Sequence, residues 1–305
     1  MSDIKLFDYA NGSVRELEPK NVDVEKKLQA LIENNMDTFL GVRFLASEYS
    51  TGNRHRGRID SLGLDENNCP VIIEYKRDVS ENVINQGLFY LDWLMEHRAD
   101  FRFLVQKKFG EKIADAIDWS EPRLLCIAAD FTRYDEHAIQ QIDRTIELIR
   151  YRLFDEQYLM FELVNVPAEQ KKRKICPLGS AEKPAVSEYE QGLAKASASL
   201  VSLHDDLCER LRTLGDDVQE KQLKLYYAFK RLKNFATIIV NPNGNAPSLS
   251  VYVKVDPTTI ELEKGFTRDV RSIGHWGTGD LELTIRTEED IQKSMPLFRM
   301  SYERS

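Results

Sequence analysis

Two short runs open the chain, Leu6-Phe7-Asp8-Tyr9 and Ser13-Val14-Arg15-Glu16-Leu17, and Asn11-Gly12 lies between them. That dipeptide between strand-like runs predicts a β-hairpin. Val24, Leu28, Leu31 and Ile32 then recur at helical spacing behind the capping residue Asp23, so a helix is expected over 24–34. Strands are expected at 42–49, 57–64 and 70–76, the last two joined by the turn-forming Asp65-Glu66-Asn67-Asn68. Ser80 caps a helix expected over 81–97, whose inner face is Val83, Ile84, Leu88, Leu91 and Leu94. Further on, the pattern predicts a strand at 101–106, a short helix at 109–117, a buried strand at 124–129, a helix at 135–152 and a strand at 158–166.

Helix, three strands, helix and strand in that order predict an α/β architecture. The sheet should be mixed, with early strands close enough for hairpins and later ones joined by crossovers, and helices should flank it. The periodicity stops over 167–190, which contains three prolines and the run Lys171-Lys172-Arg173-Lys174; a linker with a solvated basic stretch is expected there. From 191 to 305 the pattern predicts helices at 193–214 and 218–232, strands at 235–240, 249–255 and 280–285, and a closing helix over 288–302. The expected organisation is therefore a first domain over 1–166, a linker over 167–190, and a smaller α+β domain over 191–305.

Composition narrows the function classes. A chain of 305 residues with 42% apolar content can build two packed cores. No stretch approaches the roughly 18 apolar residues of a membrane helix, and the first residues lack the apolar centre of a signal peptide. A cytoplasmic protein without membrane partners is expected. None of the four cysteines forms a Cys-x-x-Cys pair, which argues against zinc and for free thiols, with Cys126 in the core. The net charge of −8 argues against a broad basic surface for nucleic acid. It is compatible with a carboxylate-rich site that has a local basic rim.

Such a site is visible in Gly57-Arg58-Ile59-Asp60 and Glu74-Tyr75-Lys76. Side chains alternate along a strand, so Glu74 and Lys76 share one face at the end of an otherwise apolar strand. Burying both charges there requires a reason. Asp60, on the preceding strand, can sit beside Glu74 in an antiparallel pair. Two adjacent carboxylates repel unless a cation lies between them, and a hard divalent ion such as Mg²⁺ or Mn²⁺ suits oxygen ligands. With Lys76 to stabilise charge on a phosphate, the trio is a recipe for hydrolysing a phosphodiester. A plain Glu–Lys pair at a strand mouth is the competing reading. In the first helix, phase puts Glu25 at the edge of the apolar face and Glu33 almost opposite it, on the solvated side. Glu25 could reach the site as a third acid; a favourable charge in the first helical turn explains it equally well. Gln86 and Tyr90, four residues apart, share one face of the later helix, and Gln86 lies off the core face, free to meet a phosphate or Lys76. An exposed polar pair is the alternative. Arg54, Arg56 and Arg58 lead into the Asp60 strand and could contact DNA phosphates, with His55 beside them; a solvated loop with an idle histidine is the alternative.

The order helix acid, Asp, Glu-x-Lys, helix Gln resembles the PD-(D/E)xK nuclease superfamily. Gly57-Arg58-Ile59-Asp60 and Glu74-Tyr75-Lys76-Arg77 look most like its NucS (EndoMS) branch, a group of DNA endonucleases. The resemblance covers about 20–106 and extends loosely to 165. It implies a restriction-endonuclease-like fold, Asp60 and Glu74 as metal ligands, Lys76 as catalytic lysine, Gln86 as helix glutamine with Tyr90 near the DNA, and Glu25 as helix acid. The archaeal relatives carry an N-terminal DNA-binding domain where this chain has only a short hairpin, so mismatch specificity does not transfer. The expected function is a Mg²⁺-dependent endodeoxyribonuclease, a homodimer acting on DNA in repair or phage defence. A nuclease-fold module that binds nucleic acid or a protein without cutting is the alternative, and a defence protein whose second domain licenses the nuclease is a third. The glycine-rich segment around Arg268, Arg271, His275 and Trp276 resembles part of a small uncharacterised bacterial domain, also found in chains described as predicted transport proteins. A ligand pocket there competes with a structural loop and a core tryptophan.

Overall fold

The computed structural model describes residues 4–20, 25–52, 56–76, 83–164, 187–243, 246–275 and 277–305. The expected caps Asp23 and Ser80, residues Arg54, His55, Cys176 and Trp276, and almost all of the expected linker lie outside the described residues. The chain divides into two compact units, Met1–Ala168 and Glu169–Ser305. No helix among the described residues is long and apolar enough to cross a membrane.

In the first unit, β1 (Leu6–Ala10) and β2 (Ser13–Leu17) form the expected hairpin, with Asn11 and Gly12 both at positive φ. The seven-stranded sheet has the order β3-β8-β7-β6-β5-β4, with β9 also on β8. Its strands are β3 (Pro19–Lys20), β4 (Val42–Ser50), β5 (Arg58–Asp65), β6 (Pro70–Lys76), β7 (Arg123–Ala128), β8 (Thr145–Phe154) and β9 (Tyr158–Leu163). β4, β5 and β6 are antiparallel, whereas β6, β7 and β8 are parallel, so the sheet is mixed as expected. The β5–β6 turn is held by Asp65, whose Oδ1 accepts the backbone N–H of Asn67 and of Cys69. Helices α1 (Glu25–Asn34) and α2 (Met36–Leu40) precede β4; α3 (Val83–Glu96), α4 (Arg98–Phe109) and α5 (Glu111–Asp115) lie between β6 and β7, and α6 (Arg133–Ile139) follows β7. Ile84, Leu91 and Leu94 of α3 bury against Ile72, Leu124, Cys126 and Leu148 of the sheet.

Two expectations in this unit are corrected. The strand expected at 101–106 is the middle of helix α4: Phe101, Phe103 and Val105 alternate like a strand, but Phe101 and Val105 are buried as an i, i+4 pair while Phe103 is 64% exposed. The helix expected over 135–152 is the short α6 followed by β8. Glu147, Arg150 and Arg152 mimicked the polar stripe of a helix. In the fold Glu147 and Arg150 are buried by long-range ion pairs, Glu147 with Arg123 and Arg150 with Asp130 and Glu162.

The second unit is an antiparallel sheet of order β10-β11-β12-β13-β15-β14. Its strands are β10 (Gln219–Gln222), β11 (Tyr227–Lys230), β12 (Asn234–Asn241), β13 (Ser248–Val253), β14 (Thr267–Asp269) and β15 (Leu281–Ile285). Helices α7 (Glu188–Lys195), α8 (Ala198–Arg212) and α9 (Glu288–Glu303) supply Tyr189, Leu207, Leu211, Ile291 and Phe298 to its core. The single helix expected over 193–214 is interrupted at Ser197, whose Oγ accepts the Leu200 N–H and starts α8 anew. The helix expected over 218–232 is the β10–β11 hairpin; its Glu, Lys, Gln and Leu favour helix locally, and pairing with β12 overrides that preference.

Candidate active site

β5 and β6 pair antiparallel as far as Ser61↔Ile73, and Asp60 and Glu74 are the next residue beyond that pair on each strand. The two carboxylates are cross-linked through the backbone: Asp60 N–H donates to Glu74 Oε1 (3.2 Å), and Tyr75 N–H donates to Asp60 Oδ2 (3.0 Å). Glu74 is fully buried, and its Oε2 has no hydrogen-bond partner among the described residues. Burial, then the neighbouring Asp60 charge, push the Glu74 carboxyl up to about 9. Burial raises Asp60 as well, opposed by the Tyr75 N–H and by the charge of Lys76. Lys76 Nζ lies 3.9 Å from Glu25 Oε1, at the N-terminus of α1.

Gln86 and Tyr90 of α3 act on the strand that carries Asp60. Tyr90 is buried, and its hydroxyl accepts the backbone N–H of Arg58 (3.1 Å) and the Gln86 side-chain amide (3.2 Å). Tyr90 is therefore corrected from a DNA contact to a support for the start of β5, because its ring and hydroxyl are taken up inside the protein. Half-buried Gln86, expected off the core face and beside Tyr90, donates one amide hydrogen to the Tyr90 hydroxyl. Gly57 must lack a side chain, since a Cβ there would lie 2.5 Å from Tyr90 Cε1 and 3.1 Å from its hydroxyl. Gly57→Ala is expected to cost about 1–3 kcal/mol. Chemical denaturation should show that cost shrinking in a Tyr90→Leu background; an equal cost in both backgrounds would refute the clash.

Arg56 and Arg58 are exposed beside this strand; Arg54 lies outside the described residues. Arg58 Nε is bonded to Glu48 Oε2 at 2.5 Å. The pairs Ser47↔Ser61 and Tyr49↔Ile59 put Glu48 across from Asp60, and Glu48 holds a left-handed φ of 51°. Glu48 was missed by sequence reasoning, since β4 carries no motif that singles it out.

The first helix also reads differently. Glu33, expected on the solvated side, accepts from Ser61 Oγ (2.6 Å) and from Gln29 Nε2 (3.0 Å). Gln29 is buried and also donates to the Asp60 carbonyl (2.9 Å). The error came from Leu31, which is 42% exposed, while Gln29 sits in the buried face. Exchanging the two rotates the centre of that face by about 40° at 100° per residue. The missed signal is the stripe Glu25, Gln29, Glu33 at i, i+4, i+8.

Among the described residues no group of three or more His, Cys, Asp or Glu side chains converges as a metal cage. In the second unit, Arg268 is paired with Glu282 and Arg271 with Asp269. His275 stacks on Tyr252 with ring centroids 4.7 Å apart and bonds the carbonyls of Ile273 and Gly279. The guanidinium groups of Arg268 and Arg271 are thus paired with carboxylates of the same unit.

Residues 189–305 match the model of a domain of unknown function, DUF5655. An uncharacterised protein of Haemophilus influenzae is 27% identical over 308 residues, covering 98% of this chain and 99% of the relative. Two solved structures are similar to part of the chain. A repair endonuclease from Pyrococcus abyssi has 17% identity and a TM-score of 0.29, over 43% of this chain and 49% of that one. An EndoMS–double-stranded DNA complex has 17% identity and a TM-score of 0.25, over 43% of this chain and 47% of that one. The matches span about half the length of either solved structure. At that identity and superposition they bear on neither activity nor substrate.

Proposed function

We propose that the first unit is a metal-dependent endonuclease that hydrolyses DNA phosphodiester bonds, in repair or phage defence. The supporting observation is the buried Glu74 Oε2 without a partner, next to a second carboxylate, Asp60. Ionising a buried carboxyl of that kind demands a compensating positive charge. A divalent cation fits: Mg²⁺ is commonly held by one or two carboxylates, its remaining positions going to water and phosphate oxygens, so two carboxylates suffice without a larger cage. Asp60 and Glu74 would hold Mg²⁺ or Mn²⁺, which when bound would neutralise phosphate charge and acidify a water.

The remaining roles belong to the chain. Lys76, kept near Glu25, offers its ammonium to charge developing on the phosphate. Tyr90 and Gln86 hold the Arg58 backbone, and with it the strand that sets Asp60. Arg54, Arg56 and Arg58 supply phosphate contacts, Arg58 by exchanging Glu48 for the backbone of the nucleic acid. A homodimer would bring two such sites to a duplex.

Supercoiled plasmid incubated with Mg²⁺ or Mn²⁺ tests this. Wild type is expected to nick and linearise it, with Asp60→Ala slower by at least about 1,000-fold. No cutting by wild type with either ion overturns the proposal and favours a non-catalytic binding module; equal cutting by the variant overturns the role of Asp60.

A further inference from the structure

Behind the candidate site, on the opposite face of the sheet, a second set of polar groups is tied together. Tyr75 lies between Glu74 and Lys76 in sequence but points the other way, towards Ser61. Ser61 and Tyr75 are both fully buried. Ser61 Oγ–H donates to Glu33 Oε1 at 2.6 Å, which uses the only hydrogen of that hydroxyl. The Ser61–Tyr75 contact of 3.2 Å must then run from Tyr75 O–H to Ser61 Oγ. Gln29 closes the set: the two hydrogens of its Nε2 face the Asp60 carbonyl (2.9 Å) and Glu33 Oε1 (3.0 Å), and Ser47 Oγ lies 3.3 Å from the same nitrogen. Three of these links reach a residue that is, or adjoins, one of the two site carboxylates: Gln29 to the Asp60 carbonyl, Glu33 to Ser61, and Ser61 to Tyr75, the neighbour of Glu74.

We infer that Glu33, Gln29, Ser61 and Tyr75 form a positioning network that holds the Asp60 and Glu74 carboxylates in register from the far side of the sheet, with Glu33 as its anchor. This rests on the metal-site reading above. Interdigitated apolar side chains alone would let β5 and β6 shift against α1 by fractions of an ångström. Directional bonds to a shared carboxylate oxygen remove that freedom. The backbone N–H groups of Asp60 and Tyr75 are the outputs, because each donates to the other strand's carboxylate. α1 thereby contributes to the site twice, through Glu25 at Lys76 and through Glu33 behind the sheet. Glu33 touches no reacting atom in this account; it acts through Ser61 and Gln29.

The test uses full-length protein carrying Ser61→Ala, Glu33→Ala or Glu33→Gln. Mn²⁺ binding is followed by calorimetry, and protection of the Asp60 and Tyr75 amides by hydrogen exchange. Removing such outer supports typically weakens metal binding by about 10- to 100-fold. Ser61→Ala and Glu33→Ala are expected to raise the Mn²⁺ dissociation constant by at least about 10-fold and to speed exchange at both amides. Glu33→Gln, which keeps an acceptor oxygen for Ser61, should recover most of the affinity lost in Glu33→Ala. A merely structural role would lower the melting temperature of all three variants without this ordering. Wild-type binding with all variants within about twofold of it overturns the network and leaves the metal site standing. No Mn²⁺ binding by wild type overturns the metal site itself; unchanged amide protection in the variants then overturns the network independently.

Discussion

Glu74→Gln is expected to abolish cleavage and, in the metal-free protein at pH 8, to raise stability by about 2–4 kcal/mol. Loss of activity with gain of stability is the usual trade-off where a site stores unfavourable electrostatics. The reason is the cost of ionising a fully buried carboxyl beside Asp60, which holds Glu74 up to about 9 from an ordinary 4.5. The sign follows from proton counting. Between those two values the folded protein keeps a proton that the unfolded chain has released, so stability falls as pH rises through the window and is fully present only below it. The raised Asp60 carboxyl adds to the same slope. Melting curves in EDTA should therefore fall from pH 5 to pH 9 for wild type and be flatter for Glu74→Gln. Added Mn²⁺ should raise the wild-type curve most at the alkaline end and leave the variant nearly unmoved. A variant that is destabilised at pH 8, or that still cuts, would remove Glu74 from the centre of the site.

The largest loss of stability is expected from Arg123→Met. Arg123 forks onto both oxygens of Glu147 at 2.8 Å each and onto Asp65 Oδ2 at 3.0 Å, and all three side chains are buried. Removing the guanidinium strands two carboxylates in the interior, at about 3–5 kcal/mol. Glu147→Leu added to Arg123→Met should recover part of that loss, since one stranded charge disappears with it. Urea denaturation of the single and double variants measures both effects. A loss under about 1 kcal/mol for Arg123→Met would mean that the triad is hydrated in solution. The triad ties the start of β7 to β8 and to the β5–β6 turn, at the end of β6 away from Lys76, so it stabilises the sheet without entering the site.

The elements that were legible early share a physical property: their partners lie close in sequence, or their periodicity is unbroken. The hairpin at Asn11-Gly12 requires only a turn that accepts positive φ at both positions. β5, the Asp65 turn and β6 form a local antiparallel pair, so the juxtaposition of Asp60 and Glu74 could be argued from alternation and turn length. α3 and the closing helix α9 are amphipathic along their length. The misread segments are those whose burial depends on distant partners. β8 looked like a helix because Glu147 and Arg150 are paired with groups far along the chain. β10 and β11 have helix-favouring composition and are strands because β12 offers them an edge. Glu33 faces inward because Gln29 is buried and Leu31 exposed, the reverse of what their polarity suggests.

By itself, then, the chain determined the mixed α/β character of its first unit, the antiparallel strand pair, and the placement of Asp60, Glu74 and Lys76 at one end of it, since these follow from side-chain alternation and short-range turn chemistry. Only the tertiary structure decided which carboxylate is orphaned, which helix residues stand behind the sheet, and that Tyr90 supports β5 from inside the protein. Burial, desolvation and hydrogen-bond direction are properties of three-dimensional neighbours. A carboxyl held up to about 9 on β6 and a glutamate bonded to Ser61 on α1 are, in sequence, two glutamates like any others.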